Sequence, residues 1–227
     1  MNEQLEQIIK ASVSDADLTA AELPRIDLYL DQILSLVAEK NAEGSDRYTG
    51  RVLTKTMINN YSKEGAILPL KGKKYNRHQV LQILFIYSLK TTLSIAEIKR
   101  IFDGTNALEG FGEAEFEELW NDYLVMKEHS RAETEKICGA ILDGLSLDLS
   151  KDDDYLRLLL SIVSLSAYLK MVAETMIDAR FPIVEEEDEE KSSKEGKTAA
   201  KADKKKAKKK EKASRLAKVE EELAEEE

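Results

Sequence analysis

The chain has 227 residues, 42% of them apolar, with 3 Pro, 10 Gly, one Cys and a formal net charge of −10. That composition allows one or two packed, mostly helical domains and excludes intramolecular disulfides and cysteine-clustered metal sites, which fits a reducing compartment. The charge is uneven: residues 47–102 carry 11 basic and 2 acidic side chains, whereas 1–46, 103–180 and 181–227 are net −7, −10 and −2. A basic island on an acidic chain suits a phosphate-bearing partner, because the acidic remainder is repelled and orients docking.

Residues 3–13 (EQLEQIIKASV) read as a short amphipathic helix through Leu5, Ile8 and Ile9, with no basic-then-apolar secretion pattern. Pro24 suits the first turn of a second helix, whose apolar positions Ile26, Leu30, Ile33, Leu34 and Val37 follow helical spacing. The run from Asn41 to Asp46 breaks it. Thr54 is a good N-cap for a brief third helix closed by Gly65. At about 100° per residue, Met57, Ile58 and Tyr61 share one face, and Lys55, Thr56, Asn59, Asn60 and Lys63 cover the other. That outward set holds amides, hydroxyl and amines without a carboxylate, which suits base edges and phosphates of a major groove; a plain solvated face is the rival reading at even weight.

Ile67 to Leu70 reads as a short extended segment, Lys71-Gly72-Lys73-Lys74 as a tight turn and Tyr75 as the returning strand of a basic flap. Asn76 caps a helix with Val80, Leu81, Leu84, Phe85 and Tyr87 mostly in the core. Ser94 caps another, with Ile95, Ile98, Ile101 and Phe102 inward and Lys99 and Arg100 outward.

This order resembles the DNA-binding domain of the MerR, or mercury-resistance regulator, family over residues 47–102. The residues that carry the resemblance are Thr54, Ile58, Tyr61, Gly65, Ile67 and Pro69, then Lys73 and Tyr75-Asn76, then Leu93-Ser94-Ile95 and Glu97-Ile98-Lys99. The run LSIAEIKRIF is the most specific of them. The family's recognition-helix arginines fall here on Thr56 and Asn59, and its wing arginine on Lys73. Over 20–180 the chain also resembles a bacterial family of unknown function (domain of unknown function 1836), itself thought to be MerR-like.

Gly104-Thr105-Asn106, with Gly110 and Gly112, marks a joint between subdomains. Helices are expected over 113–130, with Phe116, Leu119, Trp120, Tyr123 and Leu124 as the apolar face, and over 131–145, with Ile137, Ile141 and Leu142 inward. The segment 152–180 opens on Asp152, Asp153 and Asp154, which complement a helix dipole, and its middle is apolar almost all round. Such a helix is either deep in a core or shared with a partner. The MerR resemblance implies dimerisation through a long downstream helix and makes 152–180 the candidate. From 182 on, an acidic run, a Lys/Ala-rich tract and a closing acidic run predict a disordered charged tail.

His78 and His129 lack neighbours at metal-ligand spacing, and His78 reads as a surface or capping residue. Cys138 reads as a small packing residue. No phosphate loop, dinucleotide fingerprint, nucleophile elbow or zinc-protease motif occurs. The most apolar stretch, 158–169, is shorter than the ~20 residues of a membrane span.

The expectation is therefore a mostly α protein. A winged helix-turn-helix with a small β-hairpin wing occupies 1–103, a helical dimerisation or effector region 104–181, and a disordered tail 182–227. Its expected function is that of a cytoplasmic, non-enzymatic, homodimeric transcriptional regulator on double-stranded DNA, without cofactor or metal. Thr56, Asn59 and Asn60 meet base edges; Lys55, Lys63, Lys71, Lys73, Lys74 and Arg77 meet phosphates, and Tyr75 braces the wing. The alternative is a non-enzymatic adaptor that uses the same module on a protein partner.

Overall fold

A computed structural model describes residues 3–44 and 52–183. The acidic and lysine-rich tail, with the disorder expected of it, lies outside these residues apart from Pro182 and Ile183. Among the described residues there are seven α-helices and one two-stranded sheet. They are α1 (Glu3–Ser12), β1 (Leu28–Tyr29), α2 (Leu30–Asn41), α3 (Lys55–Lys63), β2 (Lys74–Tyr75), α4 (Arg77–Leu89), α5 (Ile95–Asn106), α6 (Glu113–Gly144) and α7 (Asp152–Arg180). The fold is mostly α, as composition and periodicity predict.

α4 is the hub. Every residue from His78 to Ile86 is buried, as expected of a helix apolar on nearly all sides. Around it lies the larger core, to which α2 contributes Ile33 and Val37, α3 Ile58 and Tyr61, α5 Ile98 and Phe102, and α6 Phe116 and Trp120. Packing thus continues across residue 103, since the first turns of α6 complete this core. A smaller cluster joins Leu5 and Ile9 of α1 to Cys138 and Leu142 of α6, Leu149, and Leu158 of α7. At 1.5 Å rise per residue, the 32-residue α6 is about 48 Å long and reaches from one cluster to the other.

Several expectations are corrected. Pro24 does not open a helix: Leu28 and Tyr29 pair antiparallel with Tyr75 and Lys74, so α2 starts only at Leu30, and Ile26 is 70% exposed. The chain does not break at Gly104-Thr105-Asn106, because α5 runs through to Asn106; the non-helical link comes later, at 107–112, and carries Gly110 and Gly112. Gly104 instead admits the Phe181 ring, which would clash with any Cβ there. Arg100 is not free on the surface. Its guanidinium donates to the Phe181 carbonyl (Nε to O, 2.8 Å) and pairs with Asp178 at 2.9 Å, tying α5 to the end of α7. The helices expected over 113–130 and 131–145 are one, as no breaker interrupts Ser130-Arg131-Ala132. His78 is buried, stacked on Phe116 with centroids 4.4 Å apart. Burial holds its pKa below the usual histidine value, with Glu113 opposing.

α7 is the largest departure from a packed bundle. Only Asp154, Leu158 and Ile177 are buried along its 29 residues, while Leu156, Leu160, Val163, Tyr168, Met171 and Met176 are exposed. It is also the one described helix long and apolar enough, by length and composition, to cross a membrane.

Candidate nucleic-acid interface

α3 forms because Thr54 caps it: its side-chain oxygen accepts the Met57 N–H at 3.2 Å. Met57 is half-buried and Ile58 and Tyr61 are buried, which turns Lys55, Thr56, Asn59, Asn60 and Lys63 outward, all exposed. The helix stops at Gly65, whose φ of +72° lets the Ala66 N–H reach back to the Tyr61 carbonyl at 2.9 Å. Nine residues make a rod of about 13 Å.

The segment after Gly65 is held from within. Ala66 and Ile67 are buried, and two buried glutamines of α4 grip the next backbone groups. Gln82 Oε1 accepts the Leu68 N–H at 2.9 Å, and Gln79 Nε2 donates to the Leu68 and Pro69 carbonyls at 3.0 Å each. These side chains do what a neighbouring strand would do. This explains why Ile67–Leu70 does not pair with Tyr75 as a local hairpin. The turn follows, with Gly72 at φ +109° between exposed Lys71 and Lys73. Lys74 and Tyr75 then pair with β1, the Lys74 ammonium lies 4.9 Å from the centre of the Tyr29 ring, and Tyr75 is buried beneath. The basic flap therefore exists, but its second strand comes from residues 28–29.

Asn76 caps α4 through reciprocal bonds with Gln79, Oδ1 accepting the Gln79 N–H and Gln79 Oε1 accepting the Asn76 N–H, each at 2.9 Å. Arg77, expected on phosphate, is turned inward. It donates to Glu117 Oε1 at 2.9 Å and to the Leu23 carbonyl at 3.1 Å, and also to the Ala20 carbonyl. The Arg77 guanidinium in turn holds the Glu117 carboxyl below the usual range. Arg77 is a tie between α4, α6 and the 20–23 turn, not a member of the surface.

The structure thus places on exposed surface eight of the ten sequence candidates: Lys55, Thr56, Asn59, Asn60 and Lys63 on α3, and Lys71, Lys73 and Lys74 on the flap. Tyr75 lies buried under the flap, and Arg77 is withdrawn. From Thr54 to Arg77 the only carboxylate is Glu64. The surface can donate and accept hydrogen bonds through two adjacent primary amides and offers five ammonium groups. Gln79, Gln82 and Tyr29 were not found from sequence. The two glutamines carried a signal, amides three residues apart in an otherwise apolar helix; Tyr29 carried none, because its partner is remote in sequence.

Among the described residues no group of three or more His, Cys, Asp or Glu side chains is placed to hold a metal. Cys138 is buried, which pushes its thiol pKa up.

Residues 18–123 match the family model described as Domain of unknown function (DUF1836), which supports assigning that segment to the family. The match takes in β1, α2 to α5, the flap and the first turns of α6. Comparison with curated proteins and with solved structures gives no match.

Proposed function

We propose that α3 and the 71–74 flap form a double-stranded DNA interface and that the chain acts as a transcriptional regulator of MerR-like, winged helix-turn-helix type. The observation that carries this is the outward face of α3. It is exposed, amide-rich and free of carboxylate, and the chain leads from it to a lysine turn whose approach at Leu68 and Pro69 is held by Gln79 and Gln82. Asn59 and Asn60 suit bidentate contacts with adenine edges, and Thr56 suits a base edge or methyl group. Lys55, Lys63, Lys71, Lys73 and Lys74 supply the sequence-independent phosphate contacts.

A second copy fits this reading. Leu156, Leu160, Val163, Ala167 and Met171 recur at spacings of four, three, four and four on one exposed side of α7. The exposed apolar surface of the whole helix is on the order of 1,000 Å². That exceeds what soluble monomers usually leave bare. A homodimer through α7 would present two α3 faces to a two-fold symmetric site.

The test is selection of fragmented genomic DNA by the full chain at about 0.15 M salt, where charge-driven binding fades. The expected result is one short, near-palindromic motif. Asn59→Ala relaxes preference at one position, and Lys73→Ala with Lys74→Ala weakens all sequences and lowers the salt slope by about 2. Unchanged binding in both variants rejects the docking face. The adaptor reading is favoured by one observation, the bare apolar length of α7. It predicts a tight protein partner, no enriched motif and DNA affinity lost at physiological salt.

A further inference from the structure

α7 is fastened at its two ends and stands off α6 between them. At its start Leu158 packs into the smaller core with Cys138 and Leu142 of α6, and Ile162 lies against the same cluster. At its end Ile177 is buried, the Phe181 ring fills the gap at Gly104, and the Arg100 guanidinium holds Asp178 at 2.9 Å. Between these fastenings a cavity of about 420 Å³ separates α7 from α6 and from the turn before α5. Ile137 and Cys138 form its α6 wall, Ile162, Leu169 and Ala173 its α7 wall, and Thr92 closes it from the turn. The helical period shows that this is an unfilled inner side of α7. At about 100° per residue, Leu165 and Leu169 fall within roughly 20° of the direction of buried Leu158. Leu165 is half-buried accordingly, yet Leu169 is 57% exposed, because the cavity lies in front of it. Leu160, Val163 and Ala167, in the stripe proposed for a second copy, fall on the opposite side of the helix, so that copy would leave the cavity open.

We propose that this cavity binds a small, uncharged and mainly apolar molecule, about the size of two fused rings and carrying one hydrogen-bonding group. The volume is nearly three times the ~150 Å³ that admits benzene and falls within the range of small-molecule sites. The isoleucine, leucine, alanine and thiol walls hold water poorly, so filling the space with apolar atoms is favourable. Thr134 also borders the cavity, but its hydroxyl is spent on the Ser130 carbonyl at 2.8 Å. Ser166 on α7 and Thr92 on the turn supply the hydroxyls that can meet one polar group. Charge is disfavoured in either sign. Lys170 is the one charged side chain on the walls, and its ammonium lies 3.5 Å from the Glu174 carboxylate. Hydrogen bonds from Ser94 hold the Glu97 carboxyl below its usual value and Lys170 adds to the effect, so the same ammonium serves two carboxylates. An anion would meet both of them, a cation would meet the ammonium itself, and either would lose hydration against apolar walls. Thr92 stands just before the Ser94 cap of α5, and α5 is latched to the end of α7 through Arg100. Occupancy would therefore wedge α7 against the start of a helix that belongs to the larger core. Its effect on DNA binding rests on the DNA reading; the site itself does not.

The experiment is calorimetric titration of the full chain, without DNA, at neutral pH. The neutral probes are 1-naphthol and indole; 1-naphthoate and 1-naphthylmethylamine are the anionic and cationic counterparts. A second readout is alkylation of Cys138, the only cysteine of the chain and a wall of the cavity, by N-ethylmaleimide, followed by intact-protein mass. The expected result is one saturable site per chain for a neutral probe, both charged counterparts at least ~10-fold weaker, and Cys138 protected with the same midpoint as the heat. Ala173→Leu, which fills the cavity from its α7 wall, should weaken binding at least ~10-fold while melting no lower than wild type by circular dichroism. If that variant fails to fold, Ser166→Leu takes its place; the charge ranking and the Cys138 protection are read on the wild type. No saturable binding of a neutral probe overturns the proposal, as does a charged counterpart that binds as tightly. Several weak sites per chain without Cys138 protection mean adsorption to the bare outer side of α7 and overturn it too, as does binding that survives the filled cavity. If DNA selection fails while a neutral probe binds here, the DNA reading falls and the site stands.

Discussion

Gln79 offers a direct test of how the flap is held. Its side chain makes three hydrogen bonds at once: Oε1 accepts the Asn76 N–H, and Nε2 donates to the Leu68 and Pro69 carbonyls. Gln79→Glu keeps the shape and the capping bond but replaces both donors with an oxygen facing two carbonyls, at a position only 4% exposed. Two lost neutral hydrogen bonds and a carboxylate facing acceptors in a buried site give about 3 kcal/mol of destabilisation near pH 8. For a chain of this size that lowers Tm by roughly 6–12 °C. The penalty has a sign in pH. Burial and the two carbonyls raise the folded-state pKa of the introduced carboxyl above its unfolded value of about 4.3. The penalty is therefore full above the folded pKa and shrinks as pH falls through it, when the protonated acid can again donate to a carbonyl. Urea unfolding of variant and wild type at pH 8 and pH 5 measures this. A variant within about 0.5 kcal/mol of wild type at pH 8, below the usual cost of one lost hydrogen bond, would refute the anchoring role.

Three further outcomes are expected. The depressed pKa of buried His78 means that stability is lost as pH falls from the unfolded value, about 6.5, through the folded one; His78→Phe should flatten that part of the acid limb in urea unfolding, and equal pH slopes in both proteins would contradict it. Arg77→Met should cost about 2–4 kcal/mol through the stranded Glu117 and two carbonyls while leaving the salt slope of DNA binding unchanged; a slope reduced as much as in the flap-lysine variants would return Arg77 to the phosphate contacts. If the proposed homodimer forms through α7, Leu160→Glu, at a side chain 57% exposed, should leave a folded monomer in sedimentation where the wild type sediments as a dimer; a wild-type chain already monomeric at micromolar concentration would remove α7 as a self-interface.

What the sequence alone determined is what local physics specifies. Thr54, Asn76 with Gln79, and Ser94 with Glu97 mark three helix starts, because a cap satisfies orphan N–H groups only three residues away. The 3.6-residue period divides α3 correctly into a buried side with Ile58 and Tyr61 and an outward side with Asn59 and Asn60. Only the tertiary structure decided the rest, for reasons of distance along the chain. Leu28 and Tyr29 lie far in sequence from the strand they pair with, so the flap's real partner had no local signal. Arg77 was one more basic residue in a basic island until Glu117 and the carbonyls of Ala20 and Leu23 were brought to it. Ser130-Arg131-Ala132 admits either a break or a continuous helix, and the contacts at both ends of α6 chose continuity. For α7, an apolar circumference is compatible with burial or with a partner; only the positions of the other six helices show that, among the described residues, most of it stays uncovered.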